Sequence, residues 1–235
     1  MTKENNAEIL FSLFKQIEDY ISNIVNENGN FNELVSKACK IMPHIKEYGP
    51  ELNDLSLIRT LIAHKNRDHL ILIPEETINR AKEILNYIRN PPTVFDIFEK
   101  EVYFCNSNDL LIEVLRVMKE KTFTHVPVYS NKGFIGILSE ASIANWLSDS
   151  KELNMQNIKV KELNNFLNNQ PNEYFDFVNK NEDAYKIKER FLNEVKGHKR
   201  IGSIFITQNG KNDEKLLGVI TAWDLPLLKM KRDEK

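Results

Sequence analysis

Two short strings place a hydroxyl three residues ahead of a second polar side chain, each at the end of an apolar run. Thr221 and Asp224 do so in Gly218-Val219-Ile220-Thr221-Ala222-Trp223-Asp224-Leu225. Ser139 and Ser142 do so in Gly136-Ile137-Leu138-Ser139-Glu140-Ala141-Ser142-Ile143. The small and β-branched residues ahead of each hydroxyl read as a strand, and the hydroxyl reads as the N-cap of a following helix. A helix start offers unpaired backbone N–H groups to a phosphate. A carboxylate one turn in can accept strong, charge-assisted hydrogen bonds from both hydroxyls of a ribose. The plain alternative is a capping box, in which Asp224 satisfies only its own helix end.

Each string is preceded by an apolar strand, His125-Val126-Pro127-Val128-Tyr129 in the first case and Ser203-Ile204-Phe205-Ile206-Thr207 in the second. The glycine-headed strings lie 82 residues apart and the preceding strands 78, so the second hairpin loop is four residues longer. This duplication organises the C-terminal part of the chain. The first half reads as a strand at 102–105, a helix at 110–119 and the Pro127 strand. A turn at Asn131-Lys132-Gly133, a strand at 134–138 and a helix to about Leu147 complete it. The second half repeats β-α-β-β-α at 174–178, 183–195, 203–207, 216–220 and 222–229. A polar, Asn-rich connection at 151–170 holds one short helix at 160–167. The tail from Lys231 is charged.

Residues 1–92 read differently. Ile9, Leu10, Leu13, Phe14, Ile17, Ile21, Ile24 and Val25 recur at helical spacing over 6–27. A second helix spans 31–48, kinked or split at Pro43. Gly49-Pro50 reads as a turn, followed by a third helix over about 54–65. A fourth starts near Pro74, where Glu75 and Glu76 complement the helix dipole. Asn90-Pro91-Pro92 ends it and marks the boundary. The expected class is α+β: an all-α bundle of about four helices at 1–92, then repeats at 93–150 and 151–235.

The duplicated β-α-β-β-α unit resembles the CBS (cystathionine β-synthase) domain pair, or Bateman module, over roughly residues 93–230. Val126-Pro127-Val128, Gly136 to Ser139 and Gly218 to Leu225 carry the resemblance. Such pairs bind AMP, ADP, ATP or S-adenosylmethionine between the repeats and regulate another activity. The resemblance implies that Thr221 and Asp224 hold phosphate and ribose, that Gly202, Ser203 and Ile204 line the base, and that Lys199 and Arg200 reach a phosphate. In the first copy Ser142 stands where Asp224 stands in the second, leaving Ser139 and His125 as polar contacts. One good site in the second copy and one weak or empty site in the first are therefore expected. His125 has no ligand cluster around it in the sequence, so no metal is expected. Trp146 and Trp223 read as packing residues beside apolar neighbours. CBS pairs commonly associate face to face, which implies a homodimer.

In the helical part, Arg59 and His64 of Leu57-Ile58-Arg59-Thr60-Leu61-Ile62-Ala63-His64 resemble the Arg-x4-His pair of HEPN domains, four-helix units that often act as metal-independent ribonucleases. That resemblance implies acid–base and phosphate-stabilising roles for the two residues, with RNA as substrate. Thr60 stands where the family often has Asn. A five-residue separation puts the side chains about 140° apart on a straight helix, so they meet only across a helix break or a second subunit. The alternative is a solvated arginine and a histidine at a helix C-terminus. A sensor that signals through the helical domain is thus weighed against a ribonuclease gated by the CBS pair.

The 235 residues carry a net charge of −2, with 41% hydrophobic and 28% charged residues. This is the balance of a soluble globular protein, with no general pull toward nucleic acid or anionic membrane. Cys39 and Cys105 make neither a disulfide framework nor a zinc set. The polar start, Met1 to Glu8, does not resemble a signal peptide, and no apolar run suffices for a membrane span. A cytoplasmic location is expected.

Overall fold

The computed structural model describes residues 6–63, 72–149, 156–167, 173–196 and 198–228. The chain divides into two compact units, Met1–Pro92 and Thr93–Lys235.

The first unit is helical. Helix α1 (Asn6–Val25) buries Leu10, Leu13, Phe14, Ile17 and Ile21 along one stripe. It packs on α2 (Phe31–Ile41), α4 (Gly49–Ala63) and α5 (Glu75–Arg89). Asn30 caps α2 by accepting the N–H groups of Asn32 and Glu33. Pro43 splits the second helical stretch: α2 ends at Ile41 and the short α3 (Pro43–Lys46) follows. The expected turn at Gly49-Pro50 is instead the first turn of α4. A proline costs nothing there, because the N–H it lacks has no helical partner.

The second unit opens with α6 (Val94–Phe98), an element absent from the sequence reading. Thr93 and Asp96 close a capping box at its start. Strand β1 (Cys105–Asn106), α7 (Leu111–Lys121), β2 (His125–Ser130), β3 (Gly133–Ser139) and α8 (Glu140–Asp149) make the first repeat. Strand β4 (Glu173–Asn179), α9 (Ala184–Asn193), β5 (Val195–Lys196), β6 (Lys199–Thr207) and β7 (Gly218–Ile220) make the second. The pairing is the same in both. Strand β1 runs parallel to β2 and β2 antiparallel to β3, with Val126 opposite Leu138. Strand β4 runs parallel to β6 and β6 antiparallel to β7, with Ile204 opposite Ile220. These four residues are fully buried, as the apolar face of a half-buried sheet requires.

Each repeat is tied down by the lead-in of the other. Val94 and Phe95 donate backbone N–H groups to Glu182 and Lys180, Lys100 donates to Leu217, and Glu99 bridges Gly218. In the other direction, Val160 donates to Asp109, Leu111 to Ile158, and Ile137 to Leu167. This exchange carries the segment ahead of each repeat to the open end of its neighbour's sheet.

Three local expectations are corrected. The helix at 183–195 ends at Asn193 and gives way to β5, which forms a hairpin with the start of β6. The helix at 160–167 is a 3-10 turn at Val160–Leu163. The helix at 222–229 begins as a 3-10 turn, Ala222–Asp224, and Trp223 on it is 85% exposed rather than packed. A turn this short presents no apolar stripe against which the ring could lie. Trp146 is buried, as read.

Candidate functional site

The antiparallel register of β2 and β3 sets His125 directly opposite Ser139 at the open end of the first repeat. Leu167 and the start of β4 close over them. Between these elements lies a cavity of about 240 Å³, lined by His125, Ile137, Ser139, Leu167, Glu173, Tyr174 and Phe175. Its walls are largely apolar or aromatic, with three polar groups converging on one side, a common build for a small-molecule site.

His125 and Glu173 form the polar centre. The imidazole Nε2 lies 3.2 Å from Glu173 Oε2, and its Nδ1 lies 2.8 Å from Thr124 Oγ1. The two side chains are 14% and 26% exposed. Hydrogen bonding from His125, helped by its charge and by the Ser139 hydroxyl, outweighs burial and holds the Glu173 carboxyl below its ordinary value near 4.5. Glu173 is therefore ionised at neutral pH. A group with a depressed folded-state pKa contributes stability that is complete above its unfolded value and is lost as pH falls through the folded one. Acid unfolding of wild type and Glu173→Gln should accordingly differ near pH 5. The difference should fade below about pH 4.5 as the carboxylate is protonated; parallel profiles at every pH would contradict the assignment.

Gly202 lies behind this pair. A Cβ placed there would sit 2.7 Å from Glu173 Oε2 and 2.9 Å from His125 Nε2. Glycine is thus the residue that leaves room for the pair.

Ser139 and Ser142 cap α8, and the Ser139 hydroxyl also serves Glu173. Ser139 N–H donates to Ser142 Oγ at 2.7 Å, Ser142 N–H donates to Ser139 Oγ at 3.1 Å, and the Ser142 hydroxyl donates to the Ser139 carbonyl at 2.7 Å. Ser142 is fully buried.

The second copy has the same cap with a carboxylate. Asp224 Oδ2 accepts both the N–H and the hydroxyl of Thr221, each at 2.8 Å. Its Oδ1 lies 3.1 Å from Lys100 Nζ, and the side chain is 20% exposed. Asp224 thus closes a capping box and an ion pair. Ile204 is core, and Ser203 is fully buried with its Oγ lacking a hydrogen-bond partner among the described residues. Lys199 and Arg200 begin β6 in the hairpin with β5. Lys199 is four residues short of Ser203, roughly 13 Å along the strand. The structure therefore brings His125, Ser139 and Gly202 to one cavity. It gathers Thr221 and Asp224 at the other cap and leaves Lys199 and Arg200 on the hairpin.

The sequence points to the second copy as the better site; the cavity lined by His125, Ser139 and Glu173 lies at the first cap. Two residues that decide the electrostatics were missed. Glu173 is the first residue of β4, and Lys100 lies five residues ahead of β1. Only the exchange of lead-ins between repeats brings them to the caps. A larger groove of about 840 Å³ lies along Lys100, Phe104, Tyr129 and Leu217, and shares Lys100 with the second cap.

In the helical unit, the Arg59 guanidinium carbon lies 5.7 Å from the ring centroids of both Phe11 and Phe14, the geometry of a cation–π contact. His64 lies outside the described residues. Among the described residues no group of three or more His, Cys, Asp or Glu side chains could hold a metal ion. No helix of the described residues is long and apolar enough to cross a membrane.

Comparison with known proteins gives a family match over part of the chain. Residues 94–149 match the CBS domain family. Among solved structures, a protein assigned to acetoin utilization (AcuB) from Vibrio cholerae is 18% identical. The match covers 61% of this chain and 93% of that one, with a TM-score of 0.46. The CBS domain pair of protein MJ0100, solved with 5-methylthioadenosine and S-adenosyl-L-methionine, is 15% identical. It covers 61% and 98% of the two chains at a TM-score of 0.41. CBSX2, solved with AMP, is 15% identical over 60% and 98%, at 0.42. No curated protein gives a significant match.

Proposed function

We propose that residues 93–228 form a regulatory CBS pair that binds an adenosine-bearing ligand, an adenine nucleotide or S-adenosylmethionine, and that the helical unit at 1–92 carries its output. The observation that carries this reading is the cavity at the Ser139 cap, where His125 and Glu173 meet from opposite repeats. The CBS match at residues 94–149 supports it. Ile137, Tyr174 and Phe175 offer the apolar and aromatic surface that a purine needs. Ionised Glu173 offers a carboxylate acceptor toward the 5′ side of the sugar. The second cleft, with Thr221, Asp224, Ser203 and Ile204, takes ligand only when Asp224 exchanges its Thr221 and Lys100 partners for a ribose, while Gly202 serves the first. Lys199 and Arg200, on the hairpin, take no part in this reading of either cleft. Because the cavity joins the two repeats, a bound ligand stabilises their joined state by mass action, and a homodimer of such pairs passes that change to the helical units.

Isothermal titration of the full chain with adenosine, AMP, ATP and S-adenosylmethionine tests this. Heat with at least one of them is expected. Folded protein that gives heat with none overturns the reading.

A further inference from the structure

The two caps differ in the charge of the residue that the opposite repeat delivers. At the first it is Glu173, and at the second it is Lys100, which reaches Asp224. The first cavity is lined by no lysine or arginine among the described residues. The sequence from 168 to 172, between its wall residues Leu167 and Glu173, carries no charge either. Arg200 stands opposite Glu173 in the strand register, but it is exposed and does not line the cavity. With His125 neutral, the polar centre is negative; with His125 protonated, it is neutral. In neither state is it positive.

The start of α8 does little to offset this. Glu140 N–H already donates to the Thr124 carbonyl at 3.3 Å, and Ser142 N–H donates to Ser139 Oγ. Two of the groups that a helix start would offer a phosphate are thus taken. Glu140 itself adds a carboxylate in the first turn. The cavity volume of about 240 Å³ lies below the range of about 300–1,000 Å³ usual for drug-sized ligands, which suits a nucleoside better than a nucleoside di- or triphosphate.

We infer that the first cleft selects an adenosyl ligand that is neutral or cationic at its 5′ side, a nucleoside or a sulfonium, and rejects 5′-phosphates, with Glu173 as the specificity-determining residue. This rests on the adenosyl-binding reading and narrows it. A dianionic phosphate brought beside Glu173 meets a carboxylate with no lysine or arginine lining the cavity among the described residues and His125 as its one titratable partner, whereas a sulfonium or ammonium meets a counter-ion.

The test is a charge series with one base and one sugar, S-adenosylmethionine, adenosine and AMP, titrated calorimetrically into the full chain. Wild type should bind adenosine and S-adenosylmethionine at least about tenfold more tightly than AMP at this cleft. In Glu173→Gln the gap between adenosine and AMP should close to within about threefold. Asp224→Ala, which opens the second cap, separates the clefts: heat that persists in it belongs to the first. AMP binding that persists in Asp224→Ala and equals or exceeds adenosine binding overturns the inference, as does a gap unchanged in Glu173→Gln. If Glu173→Gln does not fold, the wild-type ranking decides alone. Absence of heat with all three compounds defeats the adenosyl reading itself, a different outcome from a reversed ranking.

Discussion

Gly218→Ala is expected to lower the melting temperature of the second unit by roughly 10 °C. The added Cβ would sit 2.5 Å from the Phe98 carbonyl oxygen and 3.0 Å from Ile206 Cδ1. The first is backbone and cannot swing aside. The methyl group must push the lead-in of the first repeat away from β7, which loses the Glu99–Gly218 bridge and the Lys100 N–H bond to Leu217. Overpacking of this kind costs about 1–3 kcal/mol, and each lost hydrogen bond adds about 1 kcal/mol. Both tryptophans of the chain, Trp146 and Trp223, lie in the second unit, so intrinsic tryptophan fluorescence during heating reports that unit alone. A shift of less than about 2 °C would show that the lead-in is not held as described. The same change should loosen Lys100 from Asp224, since the lysine is anchored by the displaced segment.

Gly202→Ala acts in the opposite way, on binding more than on stability. Its Cβ meets the tips of two side chains, Glu173 and His125, and not backbone. Side-chain ends can rotate out of the way, and alanine is the better residue in a strand interior. A melting-temperature change under about 4 °C is therefore expected. The pair, however, cannot keep its 3.2 Å separation and its place in the cavity at once. Adenosine affinity should fall at least about tenfold, or about 1.4 kcal/mol. Wild-type affinity in a folded Gly202→Ala would mean that the ligand does not use this pair.

Much of the second unit is legible in the sequence. The glycine-headed strings, the Pro127 strand and its counterpart at Ser203 announced a duplicated strand pair, because alternation and turn residues act locally. Boundaries in the helical unit followed from the same kind of signal, as at Pro43 and at Asn90-Pro91-Pro92. Gly49-Pro50 misled because proline punctuates a turn and opens a helix with equal ease. The Ser139–Ser142 and Thr221–Asp224 caps were legible as caps, and the choice between capping box and ligand contact was not. That choice depends on what else reaches the carboxylate, and Lys100 arrives from a segment 124 residues away. Glu173 was invisible for the same reason. It begins a strand of its own repeat but serves the cap of the other, and no periodicity within either repeat encodes that meeting. The exposure of Trp223 was missed because a 3-10 turn and an α-helix share the same first residues.

The most direct test is crystallography of the full chain grown with adenosine. The account predicts purine density against Ile137, Tyr174 and Phe175, with the 5′ side of the sugar toward Glu173 and the ribose beside Ser139 and His125. Adenosine seated at Thr221 and Asp224 with the His125–Glu173 cavity empty, or bound elsewhere on the chain, would contradict it.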